Sequence, residues 1–378
     1  TTQPVPPPTV PPSAEPADAT LEAQFADALA EDTAKAARDT GPATPTSPAG
    51  SSPSFFNPAM TVIATLTGGL WRKNVEPTFS AGDDAAAPGF TAQEIEIALT
   101  ADVDPYFQMQ LFLTIPRLEG LEVEEAVVQT TSLPASLLVK AGVLRSSFGR
   151  NNEQHLHVQN FARRPQATHL LGADGLRGPG VQLSWLTPLP YYASLFAETF
   201  SLDSVHPSLV AGVEQFFALS DTWSLLVGVS GAYLQRAPDP AASFDPVREY
   251  LAGADVYAKW KPTNVTNTYA WIAITAETVA SRPKDARAWD VTSYLEVTWQ
   301  VARRFRVAAR VDGAGLSNHP SLERELVTGA SVAFLPTEFS RVRLTFEHDY
   351  LFDRPEARNE RVFLQLETSI GSHQAHPF

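Results

Sequence analysis

An all-β, transmembrane antiparallel β-barrel of about 16 strands is the fold class this sequence predicts, and three observations predict it. From residue 55 onward, short runs alternate apolar and polar residues with a period of two, so each run has one apolar face and one charged face. There are sixteen such runs, an even count, and most are near 11 residues, enough for a tilted strand to cross the hydrocarbon core. Their connectors are mostly tight after even-numbered runs and mostly long after odd-numbered ones, which sets short turns on one rim and loops on the other. A soluble sandwich has no reason to keep such an alternation.

Residues 1–54 stand outside this pattern. Eleven of the 31 Pro lie in residues 1–53, within PVPPPTVPPSAEP and GPATPTSPAGSSP, and such sequence favours extended, solvated chain that buries no core. The chain opens TTQPVPPP, without the basic and apolar regions of a secretory signal, so if the protein is exported this is the expected mature form. Between the Pro-rich pieces, residues 21–39 place Leu21, Phe25, Ala28 and Leu29 at helical spacing, which predicts a short helix in a periplasmic leader.

The expected strands fall near 59–71, 91–101, 106–115, 122–131, 137–146, 180–187, 191–200, 208–218, 222–234, 250–261, 268–279, 291–301, 304–313, 325–335, 339–350 and 361–371. In the last of these Val362, Leu364, Leu366 and Ile370 share one parity, and Gln365, Glu367 and Ser369 the other. Val342, Leu344 and Phe346 likewise oppose Arg341, Arg343 and Glu347; Phe305, Val307 and Val311 oppose Arg306 and Arg310; Leu295, Val297 and Trp299 oppose Glu296. Aromatic residues cluster at run ends (Trp71, Tyr106, Trp185, Tyr191, Trp223, Trp260, Phe339, Tyr350), as interfacial girdles require. Adjacent acids such as Glu124 and Glu125 fall on opposite faces of a strand and form no working pair.

Composition removes other classes. With 28 Lys+Arg against 42 Asp+Glu the formal charge is −14, which argues against nucleic acid as a partner. The absence of Cys excludes disulfides, thiolate metal sites and a Cys nucleophile. No nucleophile elbow occurs, and the Gly-rich GADGLRGPG at 172–180 precedes a strand rather than a phosphate-binding helix, so no enzyme is expected.

The loop at 147–179, SFGRNNEQHLHVQNFARRPQATHLLGADGLRGP, is the longest connector and follows the fifth strand. Loops of this length in compact folds usually carry function. Folded into a barrel it would narrow the bore, with Arg150, Glu153, His155, His157, Arg163, Arg164, Asp174 and Arg177 as the constriction and a transverse field between their opposed charges. Its polar residues would pin it to the wall. Glu153, His155 and His157 could also supply carboxylate and imidazole ligands to zinc, since side chains at i and i+2 of an extended segment share a side. Lumen-facing positions by parity are Lys140, Lys259, Glu296, Arg306, Arg310, Arg341, Arg343 and Glu347, a lining of both signs that predicts weak ion preference.

The segments FFNPAMTVI (55–63), VEEAVVQTTSLPASLLVKAG (123–142), FGRNNEQHLHVQNFARRP (148–165) and LGADGLRGPGVQLSWLTP (171–188) resemble a family of proteobacterial outer-membrane proteins. These are porin-like barrels, sometimes described as zinc-regulated outer-membrane receptors, and the plan is more distantly similar to phosphate-selective porins. The resemblance covers residues 55–378 and implies a sixteen-stranded barrel, trimeric as porins commonly are, that sits in outer-membrane lipid and lipopolysaccharide and passes small hydrophilic solutes. Residues 1–54 are too few for the plug of a TonB-dependent receptor, and the sequence has no clear inward run of Arg and Lys like that of phosphate-selective channels. The expectation is passive diffusion. The alternative is a tethering barrel whose segment 21–39 grips a periplasmic or cell-wall partner.

Overall fold

A computed structural model describes residues 58–85, 87–202, 206–237, 247–263, 269–317 and 320–371; the expected leader and its helix at 21–39 lie outside the described residues. Sixteen strands form a ring of antiparallel neighbours. They are β1 (Ala59–Trp71), β2 (Gly89–Asp104), β3 (Phe107–Pro116), β4 (Glu122–Thr130), β5 (Leu137–Arg145), β6 (Arg177–Leu186), β7 (Ala193–Ser201) and β8 (Pro207–Ala218). The second half comprises β9 (Trp223–Arg236), β10 (Val247–Trp260), β11 (Trp271–Pro283), β12 (Asp290–Ala302), β13 (Phe305–Ala314), β14 (Glu325–Thr337), β15 (Ser340–Leu351) and β16 (Asn359–Gly371). Each strand pairs with its sequence neighbours, and β1 closes on β16 from Thr61↔Gly371 to Trp71↔Arg361. Closure leaves no unpaired edge, a condition any sheet in a bilayer must meet.

The two faces of this barrel are inverted relative to a soluble protein. In β15, Arg341, Arg343, Thr345, Glu347 and Asp349 are buried, whereas Leu344 and Phe346 are 51% and 45% exposed. In β16, Arg361, Gln365 and Glu367 point inward, and Leu364 and Ile370 are 53% and 69% exposed outward. An exposed belt of this extent suits a lipid environment, because soluble monomers rarely show contiguous apolar patches of such size. Trp185, Trp223, Tyr191 and Phe339 are exposed near strand ends, as girdle residues should be. Trp71 departs from that expectation. It pairs directly with inward Arg361, whose guanidinium lies 4.9 Å from the indole centroid.

Strand bounds differ from the sequence reading where pairing outruns the alternation. β2 runs three residues past its expected end, and β10 begins three residues earlier than expected, each continuing a ladder already set by its neighbours. β6 starts at Arg177 and so takes Pro179 into a strand; the β6–β7 ladder begins only at Gly180, beside the residue that has no N–H to donate. Two bulges alter the inner face. One in β2 opposite Thr65 and Leu66 turns both Gln93 and Glu94 inward. The other, in β4 opposite Phe112 and Leu113, overturns the expectation for Glu124 and Glu125. Val123 pairs with Leu113 and Glu125 with Phe112, so Glu124 is the extra residue; Glu124 is buried and both acids act on His155.

Candidate functional site

The loop between β5 and β6, residues 146–176, folds inside the ring and contacts wall strands on all sides. Its neck is held by one side chain. Asn152 donates to the carbonyls of Ser146 and Leu176 at 2.7 and 3.1 Å, and its Oδ1 accepts from the Leu176 amide at 2.8 Å. The Ser146 amide also donates to the Leu176 carbonyl, at 2.8 Å, so the two limbs leave the wall as a clamped pair.

The first limb is pinned to β7, β9 and β11. Ser146 Oγ and the Ser147 amide donate to Glu198, the Gly149 amide to Ser230 Oγ at 3.1 Å, and the Asn151 amide to Glu277 Oε2 at 3.0 Å. Gly149 has φ +66°, and a Cβ there would overlap Glu277 Oε1, so backbone conformation and close approach both require glycine. Burial adds an apolar contact that the alternation pattern does not reveal. Phe148, Leu170, Leu171 and Leu176 of the loop pack against Phe196, Phe200, Val210, Leu234, Leu251 and Val279 on the inner wall. The inner face is therefore polar only in part. Apolar residues on both parities near the loop-side ends of β7–β11 were the available signal, for example outward Val229 and Tyr233 beside inward Leu234.

The middle of the loop reaches the opposite wall. His155 Nδ1 lies 3.1 Å from Glu124 Oε2, and His157 Nδ1 lies 3.2 Å from Glu96 Oε2. Arg145, at the end of β5, ion-pairs with the other oxygen of Glu124. His155 stacks between Phe112 and His157, at centroid distances of 4.6 and 5.8 Å. Its burial lowers the His155 pKa, against the pull of Glu96. Next along the chain, the carbonyl of His157 accepts from Arg341 at 2.7 Å, the carbonyl of Gln159 accepts from Arg341 and Arg343, and Asn160 donates to Glu296 at 2.7 Å.

Two arginines then enter separate acidic nests. Arg163 Nε lies 2.8 Å from Glu347 and its Nη2 3.6 Å from Asp349, and its carbonyl accepts from Arg310 at 2.9 Å. Burial alone would lower the Arg163 pKa, but the carboxylates of Glu347, Asp84, Glu325 and Asp312 outweigh it and hold the pKa raised. Arg164 forms a forked pair with Asp83 at 2.6–3.0 Å, while its amide donates to Asp84 at 2.6 Å. Asp83 and Asp84 belong to the β1–β2 connector, whose Gly82 and Ala85 amides also donate to the carbonyls of Ala173 and Ala162. These two loops dock on each other, a contact sequence reading did not find.

Asp84 is titratable in a physiological range. Burial, and then the charge of Asp83, push its pKa from 3.8 up to about 7, against the pull of Arg163 and of the amides of Arg164 and Ala81. Because the docked form holds the proton more tightly than the undocked one, the contribution of Asp84 to docking is largest below about pH 4 and falls by up to about tenfold per pH unit towards pH 7, then levels off. Hydrogen exchange at the Arg164 and Ala85 amides, corrected for intrinsic rates, should therefore accelerate between pH 5 and 7, and Asp84→Asn should flatten that rise.

The remaining expected residues are dispersed. Arg150 stacks 3.9 Å over the Tyr257 ring. Glu153 is exposed and stands outside the His155 cluster. Arg177, the first residue of β6, pairs with Glu122 at 3.1 Å and lies 3.8 Å from Asp174. On the wall, Lys140 pairs in register with Gln129 and Gln182, Lys259 lies 5.3 Å from the Trp271 centroid, and Arg306 Nε donates to Gln300 at 3.0 Å. Arg310 holds Asp312 at 2.9 Å, and Arg341 holds Glu367. Arg343 Nε donates to Gln365 at 2.8 Å.

No family model matches the sequence. An uncharacterized protein of Aquifex aeolicus is 32% identical over 341 residues, covering 77% of this chain and 70% of that protein. Solved structures share the fold at low identity. OmpT, an outer membrane protein of Vibrio cholerae in its trimer form, superposes with a TM-score of 0.54 at 9% identity over 83% of this chain and 99% of that one. An anion-selective porin from Comamonas acidovorans gives 0.56 at 9% identity, with the same coverage of 83% and 99%. The outer membrane channel DcaP of Acinetobacter baumannii gives 0.55 at 12%, over 83% and 97% of the two chains.

Proposed function

The chain belongs to the same family as the Aquifex aeolicus protein, and from that premise and its barrel we propose that it is a bacterial outer-membrane porin passing small hydrophilic solutes or ions by passive diffusion. One observation carries the reading: an apolar outer belt encloses an inner face rich in charge, across which the 146–176 loop is strung. A lipid-embedded anchor needs the belt but not the charged interior, whereas a hydrated passage needs both. Residues 146–176 set the bore. Arg150, Glu153, Tyr257, Lys259 and Glu296 line the polar part that remains, and their mixed signs favour weak ion preference.

A homotrimer is part of this reading. β3–β7 form a low wall of 9- and 10-residue strands, and exposed Met109, Val128, Leu183 and Leu195 give it an apolar surface a neighbouring copy could cover. The resemblance to zinc-regulated receptors and, more remotely, to phosphate-selective porins belongs to the same proposal. Planar-bilayer recording of the purified chain tests it. Discrete steps, in threes for a trimer, are expected with a small reversal potential in a salt gradient. A folded barrel that inserts but stays silent would instead support the tethering alternative.

A further inference from the structure

We propose that Glu96, Glu124 and His155, with His157 as a fourth donor, bind one divalent transition-metal cation of the zinc class and so fasten the inner loop to the wall. The cluster spans three chain segments. Glu96 projects from β2, Glu124 from the bulge of β4, and both histidines from the loop. One ligand atom from each of Glu96, Glu124 and His155 lies within 4.8 Å of the others.

The separations fit a small ion. His155 Nδ1 is 3.1 Å from Glu124 Oε2 and 3.7 Å from Glu96 Oε2, and His157 Nδ1 is 3.2 Å from the same Glu96 oxygen. A tetrahedron of N and O donors about 2.0–2.1 Å from zinc has edges of about 3.3–3.4 Å, so Glu96, Glu124 and His155 need little movement to admit the ion, and His157, already beside Glu96, turns in as the fourth donor. The β4 bulge makes this possible. Without it Glu124 would face lipid, and the cluster would lose one of its two carboxylates.

The surroundings also suit the ion. Arg145 ion-pairs with Glu124 Oε1, while Oε2 is directed at His155. Phe112 stacks on the His155 ring and orients it. A cavity lined by Asp83, Glu94, Thr114, Glu124, Arg145 and Arg177 lies beside Glu124. Two imidazoles with two carboxylates select zinc-like ions over calcium or magnesium, which prefer all-oxygen shells. This set differs from the one spacing suggested, since Glu153 is replaced by Glu96 and Glu124.

The test is calorimetric titration of the intact, detergent-folded chain with zinc chloride, together with cobalt(II) absorption. One zinc per chain and the intense visible bands of four-coordinate cobalt are expected, with no heat from calcium or magnesium at equal concentration. Affinity should fall about 100-fold or more in His155→Ala and in Glu96→Gln, and stay unchanged in Glu153→Gln. Heat-modifiable gel mobility establishes that each variant folds, and if either of the first two fails, the other decides. Absence of zinc binding by the intact chain, or binding that survives both substitutions, overturns the proposal. The readout is binding alone, so it stands or falls independently of channel activity.

Discussion

Replacing Arg163 by methionine should release the inner loop without unfolding the barrel. Arg163, Arg310 and Arg361 meet Asp312, Glu347 and Asp349 in a cluster where no side chain is more than 3% exposed, so three positive charges balance three negative ones. Arg163 is the member contributed by the loop; the other five belong to β13, β15 and β16. Methionine keeps much of the side-chain volume but leaves the wall with one uncompensated buried negative charge. Breaking a buried pair in this way costs about 3–5 kcal/mol. That charge is relieved most readily if water enters and residues 159–166 withdraw, since the sixteen-strand ladder does not depend on them. Limited proteolysis should then cut within 150–170, where the parent is protected, while heat-modifiable mobility persists. The paired variant Arg163→Met with Glu347→Gln restores charge balance and should recover much of the protection. If the single variant is as resistant as the parent, the cluster does not hold the loop.

The strand framework was legible because a barrel with a polar interior writes its faces into the parity of residues such as Arg341–Glu347 and Leu364–Ile370. The importance of the fifth connector was also legible, from its length alone. Three features were not. Bulges break parity at a single residue and depend on the partner strand, so strict alternation sets Glu124 apart from Glu125, and only the Phe112–Glu125 register turns both inward. The pairing of Arg164 with Asp83 joins positions 81 residues apart, a distance over which local spacing holds no information. The apolar contact of Leu170 and Leu171 with Leu234 and Val279 left only apolar residues on both parities as its signal, and these do not say what covers the inward ones. Local periodicity thus determines which elements form, and long-range charge and shape decide what fills the space between them.

Deleting residues 153–172 and joining the ends with a short glycine-serine bridge should raise single-channel conductance several-fold. The loop now reaches from Glu96 and Glu124 on one side to Glu277, Glu296, Glu325 and Glu347 on the other, so its removal opens the cross-section that it spans. Selectivity should move as well. The deletion removes Arg163 and Arg164 against Glu153, a loss of 2 − 1 = 1 positive charge, and exposes wall carboxylates that the loop now covers. Cation preference should therefore strengthen, seen as a larger reversal potential in a salt gradient, and higher ionic strength should diminish it as wall charges are screened. The cost falls on the apolar inner wall. Phe200, Val210, Leu234 and Val279 would lose Leu170 and Leu171, so the deletion variant should also show lower thermal stability and bind an apolar dye. Leu170→Asp with Leu171→Asp separates the two effects, because it undocks that limb while retaining the chain and should give noisy, intermediate conductance. Higher conductance with unchanged selectivity would mean the loop obstructs the passage without tuning it. No conductance in either form would remove the channel reading and leave the barrel as an anchor.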